Sequence, residues 1–211
     1  MRISEIYPSI HGESQYVGLP CTLVRTTGCD LRCVYCDTTY AFSGGREMNL
    51  DDILAEVRRF GLPFVLLTGG EPMLQKDIAE LARRLLDGGF KVAIETSGAH
   101  LLDSLPVEVC RILDVKTPSS SESHRMQWEV FRGLRPCDAV KFVLADEADY
   151  HWSVEQVARL GLVGRTEVLF SPAHGRLDAR DLVGWIVRDR LAVRVNLQAH
   201  KYIWGADAKG V

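Results

Sequence analysis

The chain has 211 residues, 46% of them hydrophobic and 25% charged, with a formal net charge of −3, which fits one compact domain with a sizeable core and excludes a disordered or fibrous chain. No apolar run approaches the length that spans a bilayer, the opening MRISEIYPS has no signal-peptide character, and Lys and Arg nowhere cluster with interleaved aromatics. Neither a membrane protein, nor an exported one, nor a direct nucleic-acid binder is therefore expected. Of the six cysteines, Cys21, Cys110 and Cys137 stand alone and the other three cluster; that usage fits a reducing, cytoplasmic setting with the single ones as small core residues.

In chain order, β-branched residues predict a first strand over Thr22–Arg25, within the run PCTLVRTT, which Gly28 ends. The loop that follows, GCDLRCVYCDT, holds Cys29, Cys33 and Cys36. On a helix these positions would form a buried stripe, but Asp30 and Arg32 make the segment too polar for a core helix. Three thiolates with no fourth cysteine or histidine close by suit an iron-sulfur cluster with one iron left open, where a small molecule can bind and receive an electron. A zinc site is the rival; its fourth ligand would have to come from Cys21 or His11, and CxxxC lies outside the usual zinc-ribbon spacing.

Asn49 with Asp52 then caps a helix carrying Ile53, Leu54 and Val57. A strand over Phe64–Thr68 runs into a turn at Gly69-Gly70-Glu71-Pro72, and Ile78, Leu81 and Leu85 keep helical period until Gly88 and Gly89. Strands are expected over Val92–Thr96 and Ile112–Val115, a loop over Ser119–Ser123, and further strands over Ala139–Leu144 and Glu167–Phe170. Asp178 with Asp181 opens a helix bearing Leu182 and Ile186, and Val193–Leu197 reads as the last strand.

Alternation of this kind predicts an α/β fold of parallel strands joined by crossover helices. Sites in such folds gather where strands end at their carboxyl edge. The polar motifs fall there: Arg25, the Gly-Gly turn after Thr68, Glu95-Thr96-Ser97-Gly98, Asp114-Val115-Lys116 and Ser171-Pro172. Their convergence on the cysteine loop argues for one active site with a small ligand rather than a set of ordinary turns.

CDLRCVYC resembles the CxxxCxΦC signature of the radical S-adenosylmethionine superfamily, with Tyr35 as the aromatic, and GGEP at 69–72 resembles that superfamily's second motif. The resemblance implies a 4Fe-4S cluster on Cys29, Cys33 and Cys36 whose open iron chelates S-adenosylmethionine, and one-electron cleavage to a 5'-deoxyadenosyl radical in a dry site. Over nearly its whole length the chain is similar to the 7-carboxy-7-deazaguanine synthase family: IYPSIHGES followed by Gly18 resembles that family's opening motif, Arg25 precedes the cysteines, Cys36-Asp37-Thr38 continues them, and QAHKYIWG lies near the C-terminus. That implies conversion of 6-carboxy-5,6,7,8-tetrahydropterin to 7-carboxy-7-deazaguanine with loss of ammonia, on the route to deazapurine bases of tRNA, by a shortened, partial (β/α) barrel that forms a homodimer and takes electrons from a donor such as a flavodoxin. It also implies a single core domain over 1–211, with a cluster loop at 28–40 and a tail at 198–211 that closes the substrate site.

Carried over residue by residue, the resemblance assigns Ile10, His11, Gly12, Arg25, Thr68, Glu95, His200 and the terminal Val211 to the pterin, with Arg25 on its carboxylate. It assigns Tyr35, Asp37, Gly69, Gly70, Asp114, Val115, Lys116 and Ser171, Pro172, Ala173 and His174 to S-adenosylmethionine, and Thr38 to Mg²⁺. A planar guanidinium fork suits a carboxylate, glycine lets backbone approach a ligand closely, and apolar Ile203 and Trp204 favour a docked tail. The chain departs from the family pattern at His11, where glutamine is usual, at Ser14, where glycine is usual, and at Asp114-Val115, where Ser-Pro is frequent. An activating enzyme for a glycyl-radical protein shares the cysteine and GGEP motifs, but does not account for Arg25 or the HKY ending. A zinc-stabilised binding module is the alternative without catalysis.

Overall fold

A computed structural model describes residues 1–211. Nine strands form one open sheet in the order β3-β1-β2-β4-β5-β6-β7-β8-β9. They are β1 (Arg2–Ile10), β2 (Pro20–Thr26), β3 (Arg46–Glu47), β4 (Phe64–Gly69), β5 (Lys91–Thr96), β6 (Cys110–Val115), β7 (Ala139–Leu144), β8 (Glu167–Pro172) and β9 (Arg194–Val195). From β2 through β9, leaving out β3, every neighbouring pair is parallel, whereas β1 pairs antiparallel with both β2 and β3. The sheet is a barrel left open along one side, as expected for a partial barrel. No helix is long and apolar enough to cross a membrane.

The helices are α1 (Leu50–Phe60), α2 (Ile78–Asp87), α3 (Glu147–Leu160), α4 (Ala179–Arg188) and α5 (Ala199–Trp204). The Asn49 side chain accepts from Asp52 N at 2.8 Å, as its sequence position implies, and α1 buries Ile53, Leu54 and Val57. Two crossovers depart from the expected alternation: β5 reaches β6 through a loop, and β6 reaches β7 through short 3-10 turns only. The last strand also shrinks from the expected Val193–Leu197 to Arg194–Val195.

Each face of the sheet has its own job. One face packs on the helices in a core of 34 buried residues that includes Val24, Val65, Leu67, Ile94, Leu113, Val140 and Phe170. The other carries a second, smaller cluster made from Cys21, Leu23, Leu66, Ala93, Cys110, Ile112, Ala139 and Leu169, with Tyr16 and Phe64. Because strand residues two apart share a face, the next inward positions after Leu23, Leu66, Ala93, Ile112, Ala139 and Leu169 are Arg25, Thr68, Glu95, Asp114, Lys141 and Ser171. Inside the barrel an apolar floor thus gives way, one step toward the carboxyl edge, to a ring of polar side chains.

The segment between β1 and β2 fills the floor. Tyr16 stands edge-on to Phe64, with ring centroids 5.0 Å apart, and His11 stacks on Phe64 at 5.7 Å. Ser14 has φ 64°, in the region that favours glycine; its N–H donates to Asn196 Oδ1 at 2.8 Å, and Asn196 Nδ2 donates to Ser171 Oγ at 2.7 Å. Buried Asn196 therefore ties this segment to β8.

Candidate active site

A cavity of about 520 Å³ opens at the carboxyl ends of the parallel strands, and Cys29, Cys33 and Cys36 all line it. Residues 27–37 form no helix. Polar anchors hold this loop instead: Asp30 takes His100 Nε2 at 3.1 Å and Arg125 Nη2 at 2.7 Å, Arg32 N donates to Glu122 Oε1 at 2.6 Å, and Val34 N donates to Ser120 O at 3.1 Å. The Tyr35 hydroxyl sits 2.8 Å from Thr117 Oγ1 and donates to Val143 O at 3.0 Å. These contacts fix the loop without using a cysteine.

All three thiols are free. Burial raises the pKa of each, Cys33 to about 11. Metal binding must therefore displace a proton from each thiol. No three His, Cys, Asp or Glu side chains converge to hold a single metal ion, while three thiols around one cavity fit a polynuclear cluster in which each binds its own iron. The other cysteines lie away from this wall, Cys21 and Cys110 buried in the barrel floor and Cys137 packed against it.

The turn after β4 is pressed against the cysteine loop. A Cβ at Gly70 would stand 2.3 Å from Gly28 O and 2.9 Å from Cys29 Cβ, and one at Gly69 would stand 2.2 Å from Thr26 Oγ1. Glycine is thus required here by the chain's own backbone, a closer constraint than room for a ligand. Glu71 next to it is fully buried and accepts from Met73 N, Thr96 Oγ1 and Ser97 N at 2.6–2.9 Å, which joins this turn to the end of β5.

Lys141 stands at the centre of the polar ring, against three carboxylates. Its Nζ lies 2.7 Å from Glu13 Oε2 and 3.2 Å from Asp114 Oδ2, and it touches Glu95 Oε1; Lys116 Nζ lies 3.1 Å from Asp114 Oδ1. Burial opposes the charge on Lys141, but Asp114, Glu13 and Glu95 together hold its pKa well above the usual lysine value. Burial also opposes ionisation of Glu13, which Lys141 and Gln198 overcome, bringing it down to about 2. Glu95 goes the other way: burial, with repulsion from Glu13 and Asp114, outweighs Lys141 and raises its pKa. Two acids on one lysine are therefore driven apart.

Arg25 lines the same cavity from β2, with Nε donating to Glu5 Oε1 at 2.7 Å. Glu5 takes that nitrogen, and the guanidinium carbon lies 5.9 Å from the centroid of the Tyr40 ring. His11 is almost wholly buried, and burial pushes its pKa down to about 4. Glu13 N lies 3.4 Å from His11 Nδ1, and His11 Nε2, although buried, has no hydrogen-bond partner. The C-terminal segment reaches both the segment between β1 and β2 and the cysteine loop: Lys201 Nζ lies 2.6 Å from Asp37 Oδ2, and Gln198 Nε2 donates to Glu13 Oε1 at 2.7 Å and to Asp37 Oδ2 at 3.1 Å.

The cavity brings together His11, Gly12, Arg25, Thr68, Glu95 and His200 with Tyr35, Asp37, Thr38, Gly69, Gly70, Asp114, Lys116 and residues 171–174. Three expected residues do not line it. Ile10 is the last residue of β1, Val115 is buried in the outer core, and of the last six residues only Ala206 and Asp207, not Val211, line the cavity. The expectation that Ile203 and Trp204 dock is also corrected, since both are exposed and Tyr202 is 94% exposed; α5 turns His200 and Lys201 inward instead. Glu13, Lys141, Gln198 and Lys201 were not expected. Glu13 lies inside the IHGES motif, and Lys141 occupies on β7 the inward position that Glu95 and Asp114 occupy on their strands.

A family model described as the radical SAM superfamily matches residues 23–114, from β2 to Asp114. The solved QueE of Escherichia coli aligns with a TM-score of 0.78 over 94% of each chain, at 21% identity, a likeness of fold. The stretch matched by the family model holds the three-thiol loop and the Gly-Gly turn, the parts of a radical S-adenosylmethionine enzyme, a class that implies a 4Fe-4S cluster and S-adenosylmethionine. Relatives from Koribacter versatilis and Chlorobaculum tepidum, both called 7-carboxy-7-deazaguanine synthase, are 44% and 42% identical, over 100% of this chain in each case and over 100% and 97% of their own lengths. The chain belongs to the 7-carboxy-7-deazaguanine synthase family.

Proposed function

We propose that this chain converts 6-carboxy-5,6,7,8-tetrahydropterin to 7-carboxy-7-deazaguanine and ammonia, a ring contraction with no net oxidation. The observation that carries this reading is a single cavity lined by three thiols, an arginine and a set of carboxylates that includes Glu95 and Asp114. Arg25 binds the substrate carboxylate through its fork. Glu95 and Thr68 meet the donor-rich pterin edge, and buried His11 and Gly12, with His200, bound the ring and exclude water.

Cys29, Cys33 and Cys36 hold the cluster, which, with S-adenosylmethionine, supplies one-electron bond cleavage when bound. Tyr35, Asp37, Gly69, Gly70, Asp114, Lys116 and residues 171–174 make up the S-adenosylmethionine half, with Val115 contributing backbone only. Thr38 is assigned to Mg²⁺. Its hydroxyl already donates to Asp37 Oδ1 at 2.9 Å, so its oxygen lone pairs are available, and Mg²⁺ takes oxygen ligands while keeping several waters. A flavodoxin-type donor and a homodimer complete the reading, both carried by the family resemblance rather than by a contact in this chain.

The test is anaerobic turnover of the reconstituted protein with the pterin, S-adenosylmethionine, a reductant and Mg²⁺. Ammonia released in step with pterin consumed is the expected result, diminished by chelation of divalent ions and by Thr38→Val. Cleavage of S-adenosylmethionine that ignores the pterin would overturn the substrate assignment. Turnover indifferent to both chelation and Thr38→Val would overturn the metal assignment.

A further inference from the structure

Lys141 has three ammonium protons and three carboxylate neighbours, Glu13, Glu95 and Asp114. Hydrogen bonds to Glu13 and Glu95 take two of its donors and Asp114 stands in ionic contact beside them, so its influence on a ligand passes through those acids. They are not equivalent. The second oxygen of Glu13 is taken by Gln198 Nε2 at 2.7 Å, and that of Asp114 faces Lys116 Nζ at 3.1 Å. Glu95 Oε2 has no protein contact and the residue lines the cavity, whereas Asp114 Oδ1 is buried in ionic contact with Lys116.

We infer that Lys141 is a positioning residue for substrate: by holding Oε1 of Glu95 it keeps that carboxylate ionised and turns Oε2 toward the donor-rich edge of the pterin. The inference rests on the pterin reading above. An ionised acceptor makes the stronger hydrogen bond to an N–H donor, and a carboxylate that has taken a proton offers that edge a donor of its own. Burial and two neighbouring acids already favour protonation of Glu95, so Lys141 is the only ammonium in contact that opposes it.

The charged groups facing Glu95 are Lys141 from β7, Glu13 from the floor segment and Asp114 from β6, with Lys116 behind Asp114. Thr68 on β4 is neutral, and Glu71 binds the next two residues of the strand, Thr96 and Ser97. Two substitutions therefore push Glu95 in opposite directions. Lys141→Met removes the opposing cation and raises the pH at which Glu95 takes a proton. Glu13→Gln removes an anion and frees Lys141 to favour Glu95, which lowers it.

The experiment is anaerobic calorimetric titration of the reconstituted protein, with S-adenosylmethionine present, by 6-carboxy-tetrahydropterin across the acid and neutral range. Visible absorbance of the cluster reports folding of each variant. Native protein should lose affinity on the acid side, and Glu95→Gln should lack that acid limb. Lys141→Met should move the limb toward neutral pH, with affinity on its acid side falling about tenfold for each unit of displacement. Glu13→Gln should move it toward acid, and decides the matter alone where Lys141→Met does not fold. Limbs unmoved in the folded variants, a uniform loss at every pH, or an acid limb that persists in Glu95→Gln would overturn the role of Lys141 while leaving the substrate assignment standing. Native protein that fails to bind the pterin at any pH would overturn both.

Discussion

Gly12 and His200 are in contact so close that a Cβ on the glycine would stand 2.1 Å from the imidazole Nδ1. Ala199 N also donates to Gly12 O at 2.8 Å. The floor segment and the C-terminal helix α5 therefore meet at one point, and the His200 ring rests on a bare backbone. Gly12→Ala should push His200 aside and lower pterin affinity or turnover by on the order of 10- to 100-fold, since small misplacements in a site are costly. Cluster content and S-adenosylmethionine binding should stay near native. Equal loss of all three would mean that the contact serves folding instead.

Each of Cys29→Ala, Cys33→Ala and Cys36→Ala should abolish cluster assembly and turnover, because no other cysteine lines the cavity to replace the lost thiolate. Cys110→Ala removes a sulfur from the apolar floor and should cost about 1 kcal/mol of stability with the cluster intact. Iron analysis and visible spectra after anaerobic reconstitution decide it, and a full cluster in any of the three would refute the site.

Arg25→Lys keeps a positive charge but loses the planar fork, and it leaves Glu5 and Tyr40, which hydrogen bond to each other at 2.8 Å, beside a shorter partner. Pterin affinity should fall at least about tenfold, the loss expected with one charge-assisted hydrogen bond, while S-adenosylmethionine binding persists. If both ligands are lost equally, the arginine acts as a structural ion pair.

His11 makes stability depend on pH. Its ordinary value of 6.5 falls to about 4 in the folded chain because burial disfavours the imidazolium. Between those values the unfolded chain binds the extra proton, so stability declines as pH drops through 6.5 toward 4, by up to about 3 kcal/mol. Glu13, whose value falls from 4.5 to about 2 on folding, adds its own loss as pH drops from 4.5 toward 2. Urea unfolding at a series of pH values should show that decline in the native protein and a flatter profile in His11→Gln. Parallel profiles would mean that the ring is hydrated.

Much of this architecture is legible in the residues. Strand-end motifs announced the cavity, and Asn49 caps α1 as its position implies. β1 was hidden because a register shift between Ile3 and Glu5 sets its buried Ile3 and Ile6 three apart, which breaks the alternation that marks a strand. Helix α3 was hidden because its buried face includes Asp149, Ser153 and Gln156, so no apolar stripe shows. Asp149 is inside because it accepts from Thr117 Oγ1, Ser119 N and Ala145 N, contacts that exist only once the fold does. Lys141 was missed for a related reason: in AVKFVL a lysine reads as one solvated strand residue until its inward parity with Glu95 and Asp114 is known.

Whether one cavity joins a cluster loop to a carboxypterin site is tested most directly by the mass of the pterin product. Reconstituted native protein, given 6-carboxy-tetrahydropterin, S-adenosylmethionine and a reductant without oxygen, should yield a species lighter than the substrate by one ammonia and matching 7-carboxy-7-deazaguanine. The Arg25→Lys protein should yield far less of it at the same cluster content. Pterin recovered unchanged, from protein whose cluster is intact and which cleaves S-adenosylmethionine, would contradict the account.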